Sequence, residues 1–413
     1  MKQEPALKSE HRLPRYQSAI LAVFSLQAIP GATEAASEFL PDVKLGANYI
    51  NAESFEASDS VNDWGGNIDA RLDYLWFDER GRFVISPRIS STQYGTAQEL
   101  DRDSKSLGIG WTRSYATAEA SLGINYSRLD LVSSEFGTVT IDPDGEVDAG
   151  SEDSGIVGNG DRDRIGINGL LAKNLSQRGD IVFAVDYLDN TYNEDGPETR
   201  IDFSQGIGSV GWRWRPDERT ALTFSGGARQ YDADNNVNVD SSRVEAMYER
   251  SLSETSNFFA AIGYEQLDGQ QGSADLGSDD VVPFRIGASR DSLLGTYSIE
   301  LAKFVNPVST GRFDERTQLT LLAERSFSER LTGAIALVAY QAKALGVNST
   351  QADRDFFSGR MEMYWAMTSK WYLGVEFYHS QQDFSDLVSG ADTKVRSEVF
   401  FNIRYKSQSR TQR

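Results

Sequence analysis

The run Gln318-Leu-Thr-Leu-Leu-Ala-Glu-Arg-Ser-Phe327 leads into a tight Ser328-Glu-Arg turn and then Leu331-Thr-Gly-Ala-Ile-Ala-Leu-Val-Ala-Tyr340. After a polar stretch from Gln341 to Asp355 the pattern returns: Phe357-Ser-Gly-Arg-Met-Glu-Met-Tyr-Trp-Ala-Met367, a Thr368-Ser-Lys turn, and Trp371-Tyr-Leu-Gly-Val-Glu-Phe-Tyr-His379. Apolar residues alternate with polar or small ones through each run of about ten residues, the period of a β-strand with two unlike faces. Short turns alternate with long polar loops. This is the hairpin repeat of a transmembrane β-barrel, with strands of about nine to eleven residues.

Working outward, the same rhythm extends from about residue 42 to residue 405. Tight turns fall at Asp78-Glu-Arg-Gly, Tyr115-Ala-Thr, Ser176-Gln-Arg-Gly, Pro216-Asp-Glu, Ser253-Glu-Thr-Ser and Asp291-Ser, and then at the two already quoted. They lie roughly 37 to 40 residues apart, one hairpin plus one loop, except where the longest loop, about Ser133 to Gly160, intervenes. The count predicts an all-β, antiparallel, up-and-down barrel of about eighteen strands. It drops to about sixteen if the weakest runs, Lys44–Asn51 and Val281–Ala288, are not full strands. An even count places both termini and the short turns on the periplasmic side and the long loops outside.

Residues 1–36 have a different layout. Lys2, Lys8, Arg12 and Arg15 precede the short apolar core Ser18–Ile29; Pro30-Gly breaks it, and Ala32-Thr-Glu-Ala-Ala offers small residues for cleavage. That is the form of a secretory signal peptide, cut near Ala35 or Ala36. The expected organisation is a leader over 1–36, a barrel over 37–405 and a short polar tail over 406–413.

Composition removes several classes. The 413 residues contain no Cys, so disulfides, zinc-thiolate sites and cysteine nucleophiles are excluded. Beyond His11 in the leader, His379 is the single histidine, and no Gly-x-Ser-x-Gly elbow accompanies it. The net charge of −20 is the wrong sign for a nucleic-acid binder. Acidic residues cluster in loops such as Asp142-Pro-Asp-Gly-Glu-Val-Asp and Ser151-Glu-Asp, as solubilising surface or as Ca²⁺ bridges to anionic neighbours. No cofactor, metal site or catalytic residue is implied. The mean hydropathy of −0.45 suits a barrel, in which every second residue faces lipid.

Phase along the strands separates two faces. Ile68, Ala70, Leu72, Tyr74 and Trp76 oppose Asn67, Asp69, Arg71 and Asp73. Leu373, Val375 and Phe377 oppose Gly374, Glu376 and Tyr378, and Val399, Phe401, Ile403 and Tyr405 oppose Glu398, Asn402 and Arg404. A cation on the lipid face at mid-bilayer costs about 2–4 kcal/mol, so the charged face looks into a wet lumen. The expected pore-lining residues are Asp69, Arg71, Asp73, Arg88, Glu119, Asn125, Asp186, Arg243 and Glu245. Further along they are Arg285, Glu300, Glu324, Arg360, Glu362, Glu376, Glu398 and Arg404. A soluble sandwich would show the same alternation with its faces reversed. The leader, the unbroken hairpin series and aromatics at strand ends favour the barrel. Those aromatics, Trp76, Phe77, Trp212, Trp214, Trp365, Trp371 and Tyr372, are the expected interfacial girdle.

The strand–Ser-x-x–strand–Tyr rhythm of Arg250-Ser-Leu-Ser-Glu-Thr-Ser with Gly263-Tyr, and of Arg325-Ser-Phe-Ser-Glu-Arg-Leu with Ala339-Tyr, resembles the beta-barrel porin 2 family of outer-membrane proteins over about residues 40–405. The resemblance implies an outer-membrane barrel, some relatives of which accompany exopolysaccharide secretion; it carries over no site residues. The first expected function is therefore a pore passing a polar solute, with exopolysaccharide export as its specific form. Expected partners are outer-membrane lipid and lipopolysaccharide, a polysaccharide and a periplasmic export partner. The alternative is a non-conducting surface barrel, plugged by side chains and loops, that anchors a polysaccharide or another partner. An outer-membrane hydrolase is a third reading, weakened by the missing nucleophile–base constellation.

Overall fold

A computed structural model describes residues 36–53, 60–131, 140–141, 147–148, 160–194, 200–272, 274–309, 312–345, 353–384 and 394–407. The expected leader and its cleavage site, most of the acidic 133–159 loop and the end of the polar tail lie outside the described residues.

The strands are β1 (Ala36–Glu53), β2 (Ser60–Asp78), β3 (Gly81–Tyr94), β4 (Arg102–Tyr115), β5 (Ala118–Asp130) and β6 (Gly160–Ser176). They continue as β7 (Gly179–Glu194), β8 (Phe203–Asp217), β9 (Thr220–Ala233), β10 (Val237–Ser253) and β11 (Ser256–Gln271). Strand β12 is in two segments, Ala274–Val281 and Phe284–Ser292, both paired with β11. The last six are β13 (Gly295–Val308), β14 (Arg312–Ser326), β15 (Leu331–Ala344), β16 (Arg354–Ala366), β17 (Trp371–Phe384) and β18 (Lys394–Lys406). Each pairs antiparallel with its chain neighbours. The first and last pair with each other, from Asp42↔Lys406 to Ala52↔Arg396, so the eighteen strands close into a barrel. Closure leaves no unpaired edge, which is what a sheet needs in a membrane.

The tight turns are set by their first polar residue. The Asp78 carboxylate accepts the Arg80 amide at 2.8 Å and the Asp217 carboxylate the Arg219 amide at 2.8 Å. Ser328 Oγ accepts the Leu331 amide at 3.1 Å, and Thr368 Oγ1 accepts the Trp371 amide at 3.1 Å. Side chains of this kind replace a backbone acceptor and hold the reversal.

Both weak runs belong to strands. Lys44–Asn51 is the middle of an eighteen-residue β1. Val281–Ala288 spans the break in β12 at Val282-Pro283, where proline has no amide to donate and its carbonyl instead accepts the Gly263 amide at 2.8 Å. Most strands are longer than the nine to eleven residues that lipid alone requires, because hairpins keep pairing past the acyl region on the long-loop side.

The outer ends of the strands are not open. Strand β13 and the start of β14 turn inward: Val305 and Phe313 are buried against Phe203, Tyr231, Val237, Val239, Leu267 and Val281 of β8–β12. The Phe313 and Tyr231 rings meet edge-on with centroids 4.6 Å apart, and the Ile201 amide donates to the Ser309 carbonyl at 2.7 Å. A separate cluster forms where the β3–β4 connection seats Ala97 and Leu100 against Ile50, Ala52 and Tyr94.

Asp63 holds that connection. Its carboxylate accepts the amides of Thr96 at 2.6 Å and Ala97 at 2.9 Å, the Thr96 hydroxyl at 2.9 Å and the Trp64 amide at 2.8 Å. The backbone hydrogen bond from Thr96, then that from Ala97, pull its pKa down from 3.8 to about 2. A depressed carboxylate contributes stability above its unfolded pKa and loses it as pH falls through the folded one. The clamp is therefore expected to be complete above about pH 4 and released near pH 2. Amide exchange at Thr96 and Ala97 should stay slow at pH 4 in the native chain and accelerate in Asp63→Ala; equal exchange in the two would reject the clamp.

Candidate functional site

Cross-strand register identifies the inner face of the wall. Tyr231 and Phe313, five strands apart, can touch only through the interior. Pairing carries that face round the barrel. Lys44 is level with Asp69 and Arg404, and Arg71 with Arg88. Asn125 is level with Gly166, and Asn168 with Asp186. Arg243 faces Glu265 and Ala261 faces Arg285. Asp73, Glu119, Glu245, Glu300, Glu324, Arg360, Glu362, Glu376 and Glu398 fall on the same face by the two-residue period. On the other face Phe39, Trp64, Val244, Ile262, Ile299, Val375 and Phe401 are exposed, an apolar band around the outside.

The girdle residues divide. Trp212, Trp214, Trp365 and Trp371 are exposed on the outer face at the short-turn end, and Trp76 shares that face. Phe77 and Tyr372 do not belong to it: adjacent residues on a strand point to opposite sides, so each lies on the inner register beside an outward Trp. The sequence reading also missed a second belt near the long-loop end. There Tyr126, Tyr187 and Tyr264 point outward, their hydroxyls donating to Asp163 at 2.7 Å, Asp189 at 3.3 Å and Asp280 at 2.7 Å. An apolar ring below a hydrated hydroxyl fits the membrane–water boundary.

The wall of β16–β18 and β1–β4 carries a lattice of ion pairs. Glu376 is its centre, 5% exposed. It accepts from Lys44 Nζ at 3.2 Å, Arg360 Nη2 at 2.5 Å, Asn402 Nδ2 at 2.9 Å and the Tyr364 hydroxyl. Arg360 Nε also lies 2.6 Å from Glu362. Arg88 holds Asp69 bidentately at 2.8 and 2.9 Å, and Arg71 reaches Asp73 at 2.7 Å. Arg404 Nε donates to Asp42 at 2.7 Å. Nearer the mouth Glu398, 2% exposed, accepts from Arg102 and Arg396 at 2.7 Å each and from the Tyr94 hydroxyl. Two glycines make room: a Cβ at Gly374 would collide with the Tyr364 ring, and one at Gly46 with the Asn402 amide.

Between these pairs is a recess of about 140 Å³, lined by Lys44, Asn67, Asp69, Arg88, Arg102, Glu376, Phe400 and Asn402 among others. Asn67 donates to Asn402 at 3.2 Å, while its Oδ1 is buried without a hydrogen-bond partner. The rest of the bore is different. Glu119, Asp186 and Glu300 have no ion pair among the described residues. Arg285 instead sits 5.2 Å over the Phe259 ring. Arg243 pairs with Glu245. The inner wall of β14–β16 is partly apolar, with Leu322, Ala336, Val338 and Phe356 buried. His379 Nδ1 lies 2.9 Å from Ser397 Oγ, and its ring is 6.2 Å from Phe357 on the outer face, away from the bore.

No family model matches the chain, and no curated protein matches it. Solved structures do. OccK2 (OpdF) of Pseudomonas aeruginosa aligns with a TM-score of 0.45 at 12% identity over 90% of this chain and 99% of that one. Its complex with glucuronate aligns with a TM-score of 0.46 at 12% identity and the same coverage. OpdK of the same organism, solved with vanillate, aligns with 0.43 at 10% identity over 89% of this chain and 99% of that one. The closed register, the charged interior and the apolar exterior between two aromatic belts are those of a transmembrane β-barrel.

Proposed function

We propose that the barrel is a narrow, solute-selective channel whose cargo is a small polar molecule carrying charge. One observation carries this: the lattice around Glu376 and Glu398 lines a recess on the inner wall, facing an interior where Glu119, Asp186 and Glu300 have no ion pair among the described residues. Rings and ladders of fixed charge select solutes by sign and by the hydrogen bonds they offer. The recess lining sets four cations, Lys44, Arg88, Arg102 and Arg360, against three carboxylates, Asp69, Glu376 and Glu398, and Asn67, Ser90 and Thr92 suit hydroxyls. A sugar acid or comparable small anion fits that chemistry; the OccK2 structure was solved in complex with one such molecule, glucuronate.

Exopolysaccharide export, the specific form the family resemblance implies, fits less well. A polymer must thread the whole bore, and the hairpin ends Val305 and Phe313 fill part of its mouth. The same packing is the one observation on the side of the second reading, a non-conducting surface barrel plugged by side chains that anchors a polysaccharide or another partner. Planar-bilayer recording separates the two. The purified protein is expected to give small conductance steps, and Phe313→Ala, which removes the ring against Tyr231, to raise them on the order of twofold or more. No current from either protein would support the non-conducting barrel.

A further inference from the structure

The inner wall of β9–β11 carries a second polar group. In an eighteen-strand ring β10 lies opposite β1, so this group faces the recess across the bore. Arg229 is level with Ser241, and Arg243 with Glu265. Glu265 is 1% exposed; its Oε1 accepts from Ser241 Oγ at 2.9 Å and lies 3.4 Å from Arg229 Nη2. Among the described residues, Glu265 Oε2, Arg229 Nε and Nη1, and the hydroxyl of the fully buried Tyr231 are enclosed with no hydrogen-bond partner. Phe313 covers them: its ring is 4.6 Å from that of Tyr231 and 5.9 Å from the Arg229 guanidinium carbon.

Enclosed donors and acceptors without partners raise the energy of the state that encloses them. Here two open donors of an arginine stand beside one open acceptor of a glutamate. The complement is a carboxylate with an ammonium or hydroxyl on the next carbon. We propose that Arg229 and Glu265 form a binding site for a small α-amino or α-hydroxy acid, and that Phe313 is the cover this solute displaces. The proposal rests on the channel reading for its consequence, though the site itself does not. Arg229 takes the carboxylate and Glu265 Oε2 takes the neighbouring donor. Because the open valences are reachable only when Phe313 has moved, the solute binds the uncovered arrangement better and shifts the population toward it.

The test uses the full purified chain and three probes at matched ionic strength: glycine, acetate and methylammonium. Glycine is expected to raise the open fraction in bilayers by about fivefold or more, acetate less, and methylammonium not at all. Arg229→Met should abolish the glycine response, and Glu265→Gln should reduce glycine to the level of acetate. A glycine response that survives Arg229→Met would overturn the site, as would a conducting wild type indifferent to all three probes. If neither wild type nor Phe313→Ala conducts, the channel reading fails separately. Calorimetric binding of glycine to detergent-solubilised Phe313→Ala then decides the site: binding that Arg229→Met removes upholds it, and no binding rejects it. Should Arg229→Met fail to fold, Glu265→Gln carries the same comparison.

Discussion

Replacing Glu376 by alanine is expected to destabilise the barrel by about 3–5 kcal/mol, the cost of removing one partner from a buried charge network. The residue is 5% exposed and holds Lys44 at 3.2 Å, Arg360 at 2.5 Å and Asn402 at 2.9 Å. Arg360 keeps Glu362, 2.6 Å away, so the charge left stranded is chiefly Lys44. Adding Lys44→Met should therefore recover part of the loss, because the uncompensated ammonium goes with the carboxylate. The measurement is the temperature at which the folded barrel converts to its heat-denatured, slower-migrating form on a denaturing gel. A shift indistinguishable from that of an exposed carboxylate such as Glu79 would mean that open water already surrounds Glu376.

Val375→Arg, one residue away, is expected to cost about 2–4 kcal/mol for the opposite reason. Val375 is 46% exposed on the outer face of β17, midway between Trp371 at the short-turn end and His379 toward the long-loop end. A cation there enters the hydrocarbon with no counter-charge, whereas β17 tolerates and needs a charge at position 376. Moving the arginine to the strand end, as His379→Arg, should cost about 1 kcal/mol or less, because depth sets the penalty. Equal effects at 375 and 379 in the same gel assay, or a Val375→Arg chain that folds unchanged, would contradict the lipid-facing assignment.

The two sides of one strand thus carry different jobs. The outer face is a solvent match, and scattered aliphatic residues suffice. The inner face is a set of particular pairings, and these define what the bore can bind. The same division explains the mouth, where Val305 and Phe313 sit at alternate positions from the inner-facing Asp314 and Arg316 yet are buried. Once the hairpin leans inward, its formerly outward face meets the opposite wall.

The period-two alternation and the Ser, Thr or Asp at the tight turns were enough, read alone, to establish the strands and their two faces; the barrel needed the unbroken hairpin series, the leader and the strand-end aromatics as well. Alternation and turn chemistry act within a few residues: the pleat sends neighbours to opposite sides, and the turn side chain caps its own backbone. The seventeen lumen candidates fall on one face for that reason, and where parity was ignored, at Phe77 and Tyr372, the assignment went to the wrong side. Pairings across the barrel had no local signature. Lys44 meets Glu376 across 332 positions of chain, and Arg404 meets Asp42 across 362, only because β18 closes on β1 in one register. The inward lean of β13–β14 over Arg229 and Glu265 is likewise a matter of packing between distant strands, so tertiary structure alone decided where the bore is lined, where it is covered and which polar groups were left open.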